Sequence, residues 1–149
     1  MKINNINILQ EQINLKLENN IKNILKILQD YKGDDWKLYQ NNNIKTDYIR
    51  NKVYSNKYFE IILISWGPNS KSKIHDHSKN GCAFKVLQGE LVEYLYNKKL
   101  DLINNKNYLK NDISYIDNNM GYHKIINNTK NIVHSIHIYS PPNYISQMK

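Results

Sequence analysis

The sequence predicts a mainly β molecule, a sandwich or barrel of short strands preceded by α-helical segments. Three observations carry that expectation. Apolar residues recur at three- and four-residue steps near the N-terminus, and from about Tyr58 the pattern changes to short β-rich runs separated by Gly- and Asn-rich turns. The 149 residues contain no linker, internal repeat or second composition block, which suits one domain spanning 1–149.

In chain order, Ile13, Leu17, Ile21, Ile24, Leu25 and Leu28 predict an amphipathic helix over much of residues 7–30, with Gly33 as its stop signal. Asp34 or Asp35 is placed to cap a second short helix carrying Trp36 and Tyr39, so the helical part occupies about 7–43. The β part covers about 44–149. Tyr58–Ser65 reads as a strand ending at the Gly67-Pro68-Asn69 turn. Ala83–Leu87 and Glu90–Tyr96 read as two strands broken at Gln88-Gly89, and Tyr108–Asp117, Tyr122–Ile126 and Ile132–Tyr139 follow.

The bulk composition excludes several classes of function. The net charge of +8 invites a nucleic-acid reading, but the lysines are scattered from Lys2 to Lys149 rather than gathered on one face, so no nucleic-acid partner is expected. Arg50 is the only arginine, which marks a position where the planar guanidinium fork matters and a lysine would not serve. Cys82 is the only cysteine, so no intramolecular disulfide forms. Residues Met1 to Leu9 lack the apolar stretch of a signal peptide, and the longest apolar run, Ile61–Ile64, is far short of a membrane span. The expectation is a cytoplasmic protein with no membrane partner.

Among the five histidines, three stand at telling positions: His75-Asp76-His77 early in the β region, and His123 after Gly121. An H-x-H on a strand sends both imidazoles to one face, where a barrel wall can offer two nitrogens to one metal, and His123 supplies a third from another strand. A lone H-x-H is a surface or core pair more often than a metal site. The spacing adds the weight: Gly67 precedes His75, Cys82 and Gly89 follow His77, and Gly121-Tyr122-His123 leads to Asn127. These spacings resemble the two cupin motifs, with Cys82 standing where ordinary metal cupins carry a ligand Glu. Three neutral imidazoles leave about three open positions on an octahedral metal and keep its full charge, which favours an anionic thiolate.

The sequence resembles the cysteine dioxygenase family from about Tyr48 to Pro142. The resemblance rests on Tyr48-Ile49-Arg50-Asn51, Trp66-Gly67, Ile74-His75-Asp76-His77, Cys82, Leu87-Gln88-Gly89, Gly121-Tyr122-His123 and the run Ser135 to Pro142, all in the family's order. It implies a cupin double-stranded β-helix, a jelly-roll barrel, with Fe(II) held by His75, His77 and His123. It implies L-cysteine bound through thiolate and amine, dioxygen as co-substrate, and cysteine sulfinic acid as product. Arg50 matches the arginine that clamps the substrate carboxylate, supported by Tyr48. Cys82 and Tyr139 match a pair that forms a thioether cross-link in one branch. Ser135, His137 and Tyr139 alternate on one strand face and match a relay that orients the Tyr139 phenol. His134, on the opposite parity, is expected at the surface, and Trp66 in the core or at the rim. A monomer is expected.

Two other readings stay open. The enzyme could act on another small thiol: Arg50 argues against cysteamine, which has no carboxylate, and less strongly against 3-mercaptopropionate. A non-catalytic metal-binding cupin would instead show a broken Ser135–His137–Tyr139 set.

Overall fold

The computed structural model describes residues 1–149. The chain begins with α1 (Ile6–Lys16), a 3-10 turn (Ile21–Ile24), α2 (Leu25–Asp30) and a second 3-10 turn (Asp35–Tyr39). Eight strands follow: β1 (Tyr48–Ser55), β2 (Glu60–Trp66), β3 (Cys82–Gln88), β4 (Leu91–Tyr96), β5 (Leu102–Tyr108), β6 (Ile113–Ile116), β7 (Tyr122–Ile126) and β8 (Val133–Tyr139).

The single helix expected over 7–30 is two helices. Glu18 and Asn19 both adopt left-handed backbone angles, and the Asn23 amide donates to the Leu17 carbonyl at the end of α1. The chain reverses there, so the apolar spacing runs through both pieces without continuous helix. Asn5 caps α1 by accepting from the Ile8 N–H, and Ile6, Leu9 and Ile13 form its buried stripe. Asp34 stands at the N-cap of the second 3-10 turn without a side-chain capping bond.

All strand pairings are antiparallel. β1-β2-β8-β3-β6 form a five-stranded sheet and β5-β4-β7 a three-stranded one. The middle strands of the five-stranded sheet are covered on both faces, which explains why β2 reads as a nearly unbroken apolar run and why β8 is buried along most of its length although it carries His134, Ser135 and His137. Ile61, Leu63, Ala83, Ile136 and Ile138 face the N-terminal helices. Ile62, Ile64, Phe84, Val86 and Val133 point the other way and pack on Leu91, Tyr108 and Ile125 from the second sheet. Each fully buried Ile or Leu in these layers contributes about 1.5–3 kcal/mol.

The helix-facing side of β3 also carries Lys85, fully buried, whose Nζ donates to the carbonyls of Leu28, Gln29 and Tyr31 at the end of α2. The same covered side corrects the expectation for His134, which is buried rather than at the surface. The segment from Trp36 to Asn42 lies over it: Asn42 Oδ1 bonds its Nε2 and Trp36 packs 5.4 Å from its ring, while Ser65 Oγ holds Nδ1 at 2.8 Å. No helix is long and apolar enough to cross a membrane.

Candidate metal centre

The three histidines meet between the sheets. His123 lies on β7 and points inward, and Gly121 ahead of it has a φ of +116° and passes so close to the Tyr96 carbonyl that any Cβ would collide. His75 and His77 sit in the β2–β3 connection and not on a regular strand, a departure from the H-x-H-on-a-strand expectation. Their positions come from pairing outside the named strands. His75 exchanges backbone hydrogen bonds with His123, and Asn118 holds His77 by accepting from its N–H and donating to its carbonyl. The ligand nitrogens of His75, His77 and His123 all lie within 4.8 Å of one another.

Hydrogen bonds decide which nitrogens are free. His75 Nδ1 lies 2.6 Å from the Lys73 carbonyl, which can only accept, so Nδ1 carries the proton and Nε2 is bare. His123 Nδ1 lies 2.7 Å from Glu93 Oε2. The distance would suit an ion pair, but burial, with His75 adding to it, holds His123 well below the usual imidazole range. The contact is therefore a neutral N–H donating to a carboxylate. Tyr108 and Ser114 hydroxyls also donate to Glu93, which favours the carboxylate against the burial that pushes its pKa up.

The two bare Nε2 atoms of His75 and His123 then face each other at 3.1 Å, and neither nitrogen of buried His77 has a hydrogen-bond partner. Burial, reinforced by His123 and His75, lowers His77 to about 2. Three neutral imidazoles with unshared lone pairs converging on one point, and no acidic side chain among them, fit a divalent transition metal. Glu93 is the residue that sequence reading missed. Its signal was there: it shares strand parity with Leu91 and Leu95, so an acidic side chain had to face inward.

A cavity of about 360 Å³ opens beside the histidines, lined by Tyr48, Arg50, Trp66, His75, Cys82, His123, His137 and Tyr139. Arg50 and Tyr48 share a face of β1; the Arg50 guanidinium stacks 5.2 Å over the Tyr139 ring and reaches Glu60 only at 4.0 Å, leaving its fork uncommitted. Cys82 and Tyr139 are directly opposed in the β3–β8 ladder, and burial pushes both pKa values up, so both are protonated. Along β8, Ser135 Oγ lies 2.7 Å from His137 Nε2 and His137 Nδ1 lies 3.3 Å from Tyr139 Oη. Trp66 is core, as expected, and its indole N–H donates to Ser135 Oγ.

The outer wall of the cavity includes Tyr144, Ser146 and Met148, on a segment strapped across the His75–His77 loop. Asp76, between the two histidines, is its fastening. It accepts from the Gln147 N–H at 2.7 Å and the Tyr144 hydroxyl at 3.0 Å, and the Lys149 N–H donates to the Ile74 carbonyl.

Two antiparallel sheets enclosing three convergent imidazoles define the protein as a cupin with a three-histidine site. Solved structures share the fold: a protein with a double-stranded β-helix domain from Klebsiella pneumoniae aligns with a TM-score of 0.60 at 16% identity, covering 75% of this chain and 91% of that one. A cupin superfamily protein from Desulfitobacterium hafniense aligns at 0.50 and 15% identity, covering 68% and 81%. The family described as Cysteine dioxygenase type I matches residues 2–148, and human cysteine dioxygenase type 1 is 32% identical over 139 residues, covering 84% of this chain and 67% of the human one. The chain belongs to the cysteine dioxygenase type I family, and it spans about two thirds of the length of that human relative.

Proposed function

We propose that the protein is an iron-dependent dioxygenase that converts free L-cysteine and dioxygen to cysteine sulfinic acid. The observation that carries this reading is a centre of three neutral imidazoles without a carboxylate, opening on a cavity that also holds the chain's only guanidinium. His75 and His123 would hold Fe(II) through Nε2, and His77 through one of its unpartnered nitrogens. Bound there, Fe(II) would supply a redox-active Lewis acid with open positions suited to a thiolate, an amine and dioxygen.

The protein's residues do the positioning. Arg50 clamps the substrate carboxylate through two parallel charge-assisted hydrogen bonds, since Glu60 at 4.0 Å competes weakly for its fork. Tyr48 packs 4.8 Å from Trp66 and steadies the same wall. Tyr139 presents its hydroxyl to the substrate, oriented by His137 and Ser135. Both oxygen atoms end on sulfur, so the reaction needs no further reductant. Cys82 and Tyr139, neighbours across the ladder, form a thioether, each losing one hydrogen to a two-electron oxidation with dioxygen as acceptor. The reading takes the protein as a single-domain monomer in the cytoplasm, a compartment that suits one buried free thiol.

Anaerobic reconstitution with ferrous iron, followed by mass measurement of sulfinate and oxygen uptake under air, tests the reading. L-cysteine should turn over in preference to 3-mercaptopropionate, and cysteamine least. His123→Ala should lose iron. Absence of sulfinate from the iron-loaded protein, or unchanged iron retention in that variant, overturns the proposal; an intact mass lacking the loss of two hydrogens removes the thioether.

A further inference from the structure

Tyr139 can help a substrate only if its hydroxyl proton is directed into the cavity, and nothing in a Ser–His–Tyr row fixes that by itself. Serine and tyrosine hydroxyls both donate and accept, and a neutral imidazole carries its proton on either nitrogen. The row Ser135 Oγ, His137 Nε2, His137 Nδ1, Tyr139 Oη could therefore point either way. The indole of Trp66 breaks the tie, because its N–H is a donor and nothing else. It lies 2.9 Å from Ser135 Oγ, and Trp66, Ser135 and His137 are all buried.

Ser135 Oγ has two polar neighbours, Trp66 Nε1 and His137 Nε2. The indole donates to it. If His137 also donated from Nε2, the serine hydrogen would be buried without an acceptor, at a cost of about 1–3 kcal/mol. The serine therefore donates to Nε2. The neutral ring then holds its one proton on Nδ1, facing Tyr139 Oη at 3.3 Å, and burial keeps the ring neutral by lowering its pKa. Tyr139 Oη accepts that proton's hydrogen bond, which leaves its own hydrogen for the cavity.

We propose that Trp66 is a positioning residue that sets the direction of the Ser135–His137–Tyr139 hydrogen bonds, so that the Tyr139 hydroxyl acts as a donor into the substrate cavity. Its effect on turnover rests on the cysteine dioxygenase reading; its effect on the His137 tautomer does not. Trp66 also packs 4.8 Å from Tyr48, a contact that a phenyl ring retains, so Trp66→Phe removes the N–H while keeping an aromatic ring in that place.

Long-range proton–nitrogen spectra of histidine-labelled, metal-free and zinc-loaded full-length protein read the tautomer directly, with His137→Gln assigning the signals. The wild type is expected to show protonated Nδ1 and bare Nε2 at His137. In Trp66→Phe the two nitrogens should shift toward a common averaged value, and Ser135→Ala, which removes the transmitting hydroxyl, should do the same. In the iron-loaded enzyme Trp66→Phe should lower kcat about tenfold with KM for cysteine within about twofold, and iron content unchanged. A wild-type His137 protonated on Nε2 overturns the proposal whatever the variants do. So does an unshifted Nδ1–H tautomer in Ser135→Ala or Trp66→Phe. If the tautomer behaves as stated while no sulfinate forms, the assigned reaction falls and the positioning role stands.

Discussion

Glu93 governs the centre without touching a metal, since its carboxylate fixes the tautomer of His123 and leaves Nε2 bare. Glu93→Gln can still meet the ring but removes the charge that raises its basicity, so iron affinity should fall roughly 10- to 100-fold, read by chelator competition. Arg50→Ala should act differently: KM for cysteine rises, on the order of tenfold or more for a lost charge-assisted pair, while iron stays bound. At this scale the sequence was legible where chemistry depends on residue type and spacing. His75, His77 and His123 could be picked out, and so could the alternation of Ser135, His137 and Tyr139. The buried His134 was hidden because its burial depends on what covers a strand face, and periodicity gives the face but not the cover; the inward parity of Glu93 was legible, but its pairing with His123 on a neighbouring strand was not.

Among the elements, the strap from Tyr144 to Lys149 forms one wall of the cavity and is fastened largely at Asp76. Tyr144→Phe removes one donor to that carboxylate. Exchange of the Gln147 amide hydrogen should then accelerate about tenfold, the equivalent of about 1.4 kcal/mol, while the β8 amides keep their protection. Strand β5 illustrates why element reading failed in one place. Leu102–Tyr108 contains Asn104-Asn105-Lys106-Asn107, exposed at a sheet edge and paired only with β4, so it shows none of the buried alternation that announces a strand. The turn after Leu17 failed for another reason: left-handed Glu18 and Asn19 interrupt a helix whose apolar spacing continues past them.

For the molecule as a whole, all five imidazoles are held below their ordinary pKa by burial, His77 down to about 2. Unfolding releases them to about 6.5, so below that value the unfolded chain binds more protons than the native one. Stability is then lost as pH falls through 6.5 and is undiminished by these groups above it. For metal-free protein, urea midpoints should hold level from pH 7.5 to about 6.5 and drop from there to pH 5, with His77 alone contributing up to about 1.4 kcal/mol per pH unit below 6.5. A flat profile would show that these rings are solvated in the native state. The overall architecture was more readable than its details, because a β region with covered faces must be apolar in bulk while its order of strands is set by long-range pairing.

Lys85 is the one lysine among the buried residues, and its amine is enclosed by three carbonyls of the last turn of α2. An acylating reagent applied to the folded protein would therefore modify the solvent-facing amines and spare this one until the helices lift from the barrel. The fraction of Lys85 acylated with time is thus a clock for that separation, readable by peptide mass without any introduced label.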